Sequence, residues 1–215
     1  MGFFRNIFGP GSKPDAAPAE LPRLTRRSTG FHQFVRVILR PDGQTVLDLG
    51  PTSAANITYL TGLGHRTYNE DILAAANSGR FALPGAEPDG PRFDVERFLA
   101  EDLQYAPETF DAVIMWDVCD YLPEEMVKPT VERIYRIAKP EAALLAFFHS
   151  REAGADAPHY RYHIKDENTL ELQTGAPFPL QRTFQNRHIE KLFQNFTAIK
   201  FFLGKENISE VLLVR

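Results

Sequence analysis

Residues 45–56, TVLDLGPTSAAN, constrain the fold more than any other stretch of this 215-residue chain. Thr45-Val46-Leu47-Asp48-Leu49-Gly50 has the continuous apolar character of a short strand covered on both faces. Gly50 can turn where a side chain would resist. Thr52 and Ser53 offer hydroxyls to cap a helix beginning Ala54-Ala55-Asn56-Ile57. A strand, a tight turn and a helix N-terminus in this order form a cradle for a nucleotide-like ligand.

The same alternation continues downstream. Phe31, Phe34, Val35 and Ile38 have helical spacing, so residues 30–40 read as an amphipathic helix stopped by Pro41. After the 45–49 strand come a helix near 53–63 and a short strand at 65–69, closed by Glu70-Asp71. Residues 79–91 are rich in Pro and Gly and read as loop. Residues 94–100 fit either a helical turn or the remnant of a strand. Residues 110–116 form a second strongly apolar run, 123–138 a helix with Val127, Val131, Ile134 and Ile137 inward, and 142–148 another buried strand. Strands alternating with helices imply a parallel sheet with right-handed crossovers.

Towards the C-terminus the pattern changes. Residues 160–164 and 169–173 alternate apolar and polar side chains, which predicts an antiparallel hairpin inserted near 158–175. A helix at 186–195 and a closing antiparallel pair at 198–203 and 211–214 complete the order. Residues 1–28 read as a flexible arm dispensable for folding, and residues 29–215 as the domain. The cluster of Phe3, Phe4, Ile7 and Phe8, next to Arg5, suits weak peripheral contact with a membrane or another protein, or packing on its own domain.

Charge and cysteine content bound the function. The formal net charge is −4, split into +5 over residues 1–40 and −9 over the rest, so no global field favours nucleic acid. A single cysteine, Cys119, cannot form an internal disulfide and reads as a buried structural thiol. No apolar run approaches the roughly 18 residues of a spanning helix. The chain is expected in the cytoplasm. His159 and His163 are too far apart on a strand to chelate, and no metal site is expected.

This order of elements resembles the class I S-adenosylmethionine-dependent methyltransferases over about residues 30–215. Asp48-Leu49-Gly50 matches the start of that family's Asp-x-Gly-x-Gly-x-Gly turn; Thr52 and Ala54 then stand in place of its later glycines. Glu70 follows Asp48 by 22 residues, near the offset of a ribose-binding acid. Phe110-Asp111-Ala112-Val113 followed by Asp117 resembles the fourth strand, and Lys139-Pro140-Glu141-Ala142 resembles the turn before the fifth with its glycines replaced. The resemblance implies an α/β, Rossmann-like, seven-stranded and mostly parallel sheet, with helices on both faces and an antiparallel C-terminal strand.

The resemblance also implies S-adenosylmethionine as cofactor and an unidentified methyl acceptor. It assigns cofactor contacts to Asp48, Gly50, Thr52, Ser53, Glu70, Asp102, Trp116 and Asp117. Thr52 is the awkward one, because its branched side chain stands where a glycine lets ligand and backbone touch. Asp71 reads as a helix cap, exchanging roles with Glu70 if the register shifts by one. Asp117, Asp120 and Tyr121 are candidates for a base or an acceptor-orienting group; they also suit helix capping and cleft walls. The Asn/Asp-Pro-Pro-aromatic signature of amide and adenine methylation is absent. A non-catalytic relative that kept the fold for binding is the alternative. A dinucleotide enzyme is disfavoured, since no Gly-x-Gly-x-x-Gly follows the first strand.

Overall fold

The computed structural model describes residues 23–84, 92–150, 157–204 and 207–215. Along the chain these form β1 (Arg23–Arg27), α1 (Thr29–Ile38), β2 (Thr45–Asp48), α2 (Ala54–Gly62), β3 (Arg66–Asn69), α3 (Ile72–Ala76), β4 (Ala82–Leu83) and β5 (Arg92–Phe93). There follow α4 (Val95–Asp102), β6 (Phe110–Trp116), α5 (Val118–Tyr121), α6 (Glu124–Ile137), β7 (Ala138–His149), β8 (Tyr160–Ile164), β9 (Thr169–Thr174), α7 (Asn186–Leu192), β10 (Ala198–Leu203) and β11 (Ile208–Val214).

The main sheet has the order β10-β11-β7-β6-β2-β3. Strands β3, β2, β6 and β7 run parallel, whereas β11 is antiparallel to both β7 and β10. Side chains alternate through the sheet as a pleated strand requires. Leu47, Val113, Met115 and Leu144 enter one core with α3 to α7. Val46, Ala112, Ile114 and Leu145 enter the other, beneath α1, α2 and the hairpin. Ser28 caps α1 by accepting from Phe31 N at 3.0 Å, so that Phe31, Phe34, Val35 and Ile38 face the second core.

Three expectations change. The main sheet has six strands, not seven, because the ambiguous stretch is helix α4: Asp94 accepts from Arg97 N at 3.0 Å, and Phe98 and Leu99 are buried. Strands β4 and β5 form a separate ribbon, with residues 85–91 outside the described part. The domain also starts before Thr29. β1 pairs antiparallel with β9, Leu24 opposite Leu172, and joins the expected β8–β9 hairpin in a three-stranded sheet. Residues 1–22, with the Phe cluster and its expected contact, lie outside the described residues. Finally, Glu141 takes φ 63° near the start of β7, a left-handed conformation that glycine adopts more readily. Among the described residues, no helix is long and apolar enough to cross a membrane.

Candidate active site

Because β2, β3 and β6 are parallel and in register, their carboxyl ends share one edge of the sheet. Asp48 ends β2, Glu70 follows β3, Trp116 ends β6 and Asp117 follows it. Asp111 sits at the opposite end, where it accepts from Thr45 N (2.9 Å) and Lys139 Nζ (2.8 Å) and has a structural role.

Asp48 is buried and fully engaged by its own chain. Its carboxylate accepts from Asn56 Nδ2 at 2.9 Å and from Trp116 Nε1 at 2.6 Å. Burial outweighs these bonds and pushes its pKa from 3.8 up to about 6. Asn56 also donates to Tyr162 O (3.2 Å) and accepts from Ile164 N (2.8 Å), tying α2 to β8. At Gly50 an added Cβ would come within 3.1 Å of the Trp116 ring, a tight contact that a side chain could make only if the indole gave way slightly. Thr52 is exposed, and its carbonyl accepts from Arg161 at 3.1 Å. The intrusion expected of its side chain therefore does not arise. Ser53 caps α2 and meets His163 Nδ1 at 2.8 Å.

Glu70 accepts a hydrogen bond from the Tyr105 hydroxyl. Burial and that carboxylate raise the phenol's pKa. Asp71 caps α3, accepting from Ala74 N at 3.0 Å. Asp102 is held by Arg80 at 3.1 Å within an exposed ion-pair cluster that includes Glu101 and Arg97. It does not line the cleft at Gly50.

Beside that cleft lies a buried polar network. Asp117 Oδ2 accepts from the Tyr162 hydroxyl at 2.9 Å and stands 3.4 Å from His149 Nε2. The Tyr121 hydroxyl lies 3.1 Å from the same His149 nitrogen. Burial, then Asp117, raises the pKa of both phenols. Asp120 has a different part. One carboxylate oxygen accepts from His149 N at 2.6 Å, its carbonyl accepts from Gln181 N and Arg182 N, and burial drives its pKa well up. It fixes the ends of β7 and the chain before α7, and is buried away from solvent. Of the predicted trio, Asp117 and Tyr121 come together around His149.

Sequence reasoning missed His149, Tyr162, Asn56 and Tyr105. His149 carried a usable signal, since it closes an apolar strand at the end where open sheets bind ligands. Tyr162 carried none, because its role depends on where the hairpin lands. The cleft between Gly50, Trp116, Asp117 and Tyr162 has a volume of about 10 Å³, space for a single water. A second cavity of about 110 Å³ lies against His149, Tyr160 and Leu172. Among the described residues, no three His, Cys, Asp or Glu side chains converge as metal ligands.

Comparison with known proteins bears on the fold. A family model described as a methyltransferase domain matches residues 47–146. No curated protein matches the chain in sequence. A SAM-dependent methyltransferase from Archaeoglobus fulgidus is similar in structure, with a TM-score of 0.54 at 10% identity, covering 86% of this chain and 91% of its own. One from Mesorhizobium loti gives 0.51 at 14% identity, covering 87% and 98%. One from Methanosarcina mazei gives 0.50 at 13% identity, covering 82% and 94%. At such identities the likeness concerns the fold alone: the chain carries a methyltransferase-domain match over residues 47–146 and is similar in fold to S-adenosylmethionine-dependent methyltransferases.

Proposed function

We propose that this chain is an S-adenosylmethionine-dependent methyltransferase whose cofactor binds at the carboxyl ends of β2, β3 and β6. The observation that carries the reading is the gathering of Asp48, Glu70 and Asp117 on that one edge. The chemistry of the residues suits the cofactor: Glu70 is an acceptor pair for ribose hydroxyls, Asp48 an acceptor beneath the turn, and Gly50 a point of close backbone approach. The volume suits it only once the Trp116 indole is out of the cleft.

When bound, S-adenosylmethionine supplies a methyl group already activated on a sulfonium sulfur, which leaves the chain alignment and proton removal. His149 is the base for a protic acceptor. Asp117, beside its Nε2, stabilises the imidazolium, and the Tyr121 and Tyr162 hydroxyls hold the two groups in place. Asp120 orients His149 through the backbone.

Calorimetric titration with S-adenosylmethionine and S-adenosylhomocysteine tests the reading. Saturable one-site binding is expected. Absence of binding at millimolar ligand, by the folded wild-type protein and by a Trp116→Ala variant alike, would remove the enzyme reading in favour of a methyltransferase-like scaffold.

A further inference from the structure

Resting on the proposed cofactor site, we propose that Trp116 is the gate of that site: its indole occupies the cleft and must leave before S-adenosylmethionine binds. The two residues of the first motif that survive in this chain are both engaged by this one side chain. Its Nε1 donates to Asp48 at 2.6 Å, and its ring stands where a Cβ on Gly50 would touch it at 3.1 Å. A ligand approaching the Gly50 backbone and the Asp48 carboxylate uses the same space and the same acceptor. Indole and cofactor therefore exclude each other.

The closed position is built in. Trp116 lies parallel to Tyr162, with ring centroids 4.8 Å apart and an interplanar angle of 1°, and meets Phe147 edge-on at 5.6 Å. It is 4% exposed. Its backbone takes φ 50°, a left-handed conformation that an aromatic residue rarely adopts. The register of β6 against β7 also shifts between Ile114 and Trp116. A bulge next to a site re-aims a side chain, and residues held in left-handed conformations cluster at switches. With the indole in place the cleft has a volume of about 10 Å³, although Leu49, Pro51, Leu73 and Tyr160 would wall a larger ligand. If most molecules are closed, apparent affinity falls in proportion to the open fraction.

The chain has one tryptophan, so fluorescence excited beyond the tyrosine absorption band reports on this residue alone. Titrating the wild-type protein with S-adenosylhomocysteine should shift the emission to the red and raise acrylamide quenching, saturating with the calorimetric affinity. Trp116→Ala should bind at least tenfold more tightly, and Trp116→Leu should do likewise if the alanine variant is unstable. Binding by the variant but not by the wild type would be the same result in its extreme form. Equal affinity in wild type and variant with unchanged emission would overturn the gate and leave the cofactor site standing. Weaker binding by the variants would make Trp116 a wall of the bound cofactor and also overturn the gate. Failure of wild type and variants alike to bind would overturn the cofactor site itself.

Discussion

Arg26 on β1 and Glu210 on β11 form an ion pair whose side chains are 2% and 1% exposed. The Glu210 carboxylate also accepts from Ser28 Oγ at 2.9 Å and from Gly30 N at 2.6 Å, while the Arg26 guanidinium lies 5.5 Å from the Phe147 ring centre. A Cβ on Gly30 would come within 2.9 Å of Glu210, which explains why the first turn of α1 carries a glycine. One carboxylate thus joins the first strand, the first helix and the last strand.

Removing one partner should hurt more than removing both charges. Arg26→Met strands the Glu210 carboxylate and should cost about 3–5 kcal/mol. Adding Glu210→Gln keeps an acceptor for Ser28 and Gly30 and should recover more than half of the loss. Urea unfolding of the two singles and the double checks this. Simple additivity would show the pair to be uncoupled.

The boundary of the domain makes a related prediction. Compared with a chain starting at Arg23, one starting at Thr29 loses β1, its pairing with β9 and two partners of Glu210. Its melting temperature should drop on the order of 10 °C. Equal melting of the two chains would restore the arm that the sequence suggests for residues 23–28.

That boundary was illegible for a physical reason. Arg23-Leu24-Thr25-Arg26-Arg27 has no apolar period, and it becomes a strand only through β9 and a carboxylate 184 residues away. β2, β6 and β7 were legible because strands covered on both faces must be apolar throughout. The gathering of Asp48, Glu70 and Asp117 followed from that parallel order. The position of Trp116 did not, because the strand fixes its Cα but β8 supplies the ring it stacks on. Of the two readings open for residues 94–100 the helix holds, because charged Glu96, Arg97 and Glu101 alternate with apolar residues at helical spacing.

Asp48 should leave a signature in stability against pH. Its pKa is about 6 in the folded chain and 3.8 ordinarily, so between these values the folded state binds more protons than the unfolded state. Stability from this group is fully present below about pH 4 and is lost as pH rises through 6, by about 2–3 kcal/mol. Asp120, also raised by burial, acts in the same direction, so the comparison must isolate Asp48. Wild type minus Asp48→Asn, measured by chemical unfolding from pH 4 to 7, should show the fall. A flat difference would mean that the carboxylate is not desolvated as the structure implies.

Glu70 gives the sharpest test of the cofactor edge. Glu70→Ala should weaken S-adenosylhomocysteine binding by about 1.5–3 kcal/mol, roughly ten- to a hundred-fold, through loss of charge-assisted bonds to the ribose. In the free protein the Tyr105 hydroxyl already donates to that carboxylate. Tyr105→Phe should therefore leave Glu70 to solvent and strengthen binding severalfold, because the ribose no longer displaces a partner. Thr52→Gly should change little, since the Thr52 side chain is exposed and only its carbonyl is used. Calorimetry on the three variants separates the contributions. A Tyr105→Phe protein that binds more weakly would show the phenol holding Glu70 ready for the ribose, and an unchanged Glu70→Ala protein would move the ribose away from β3.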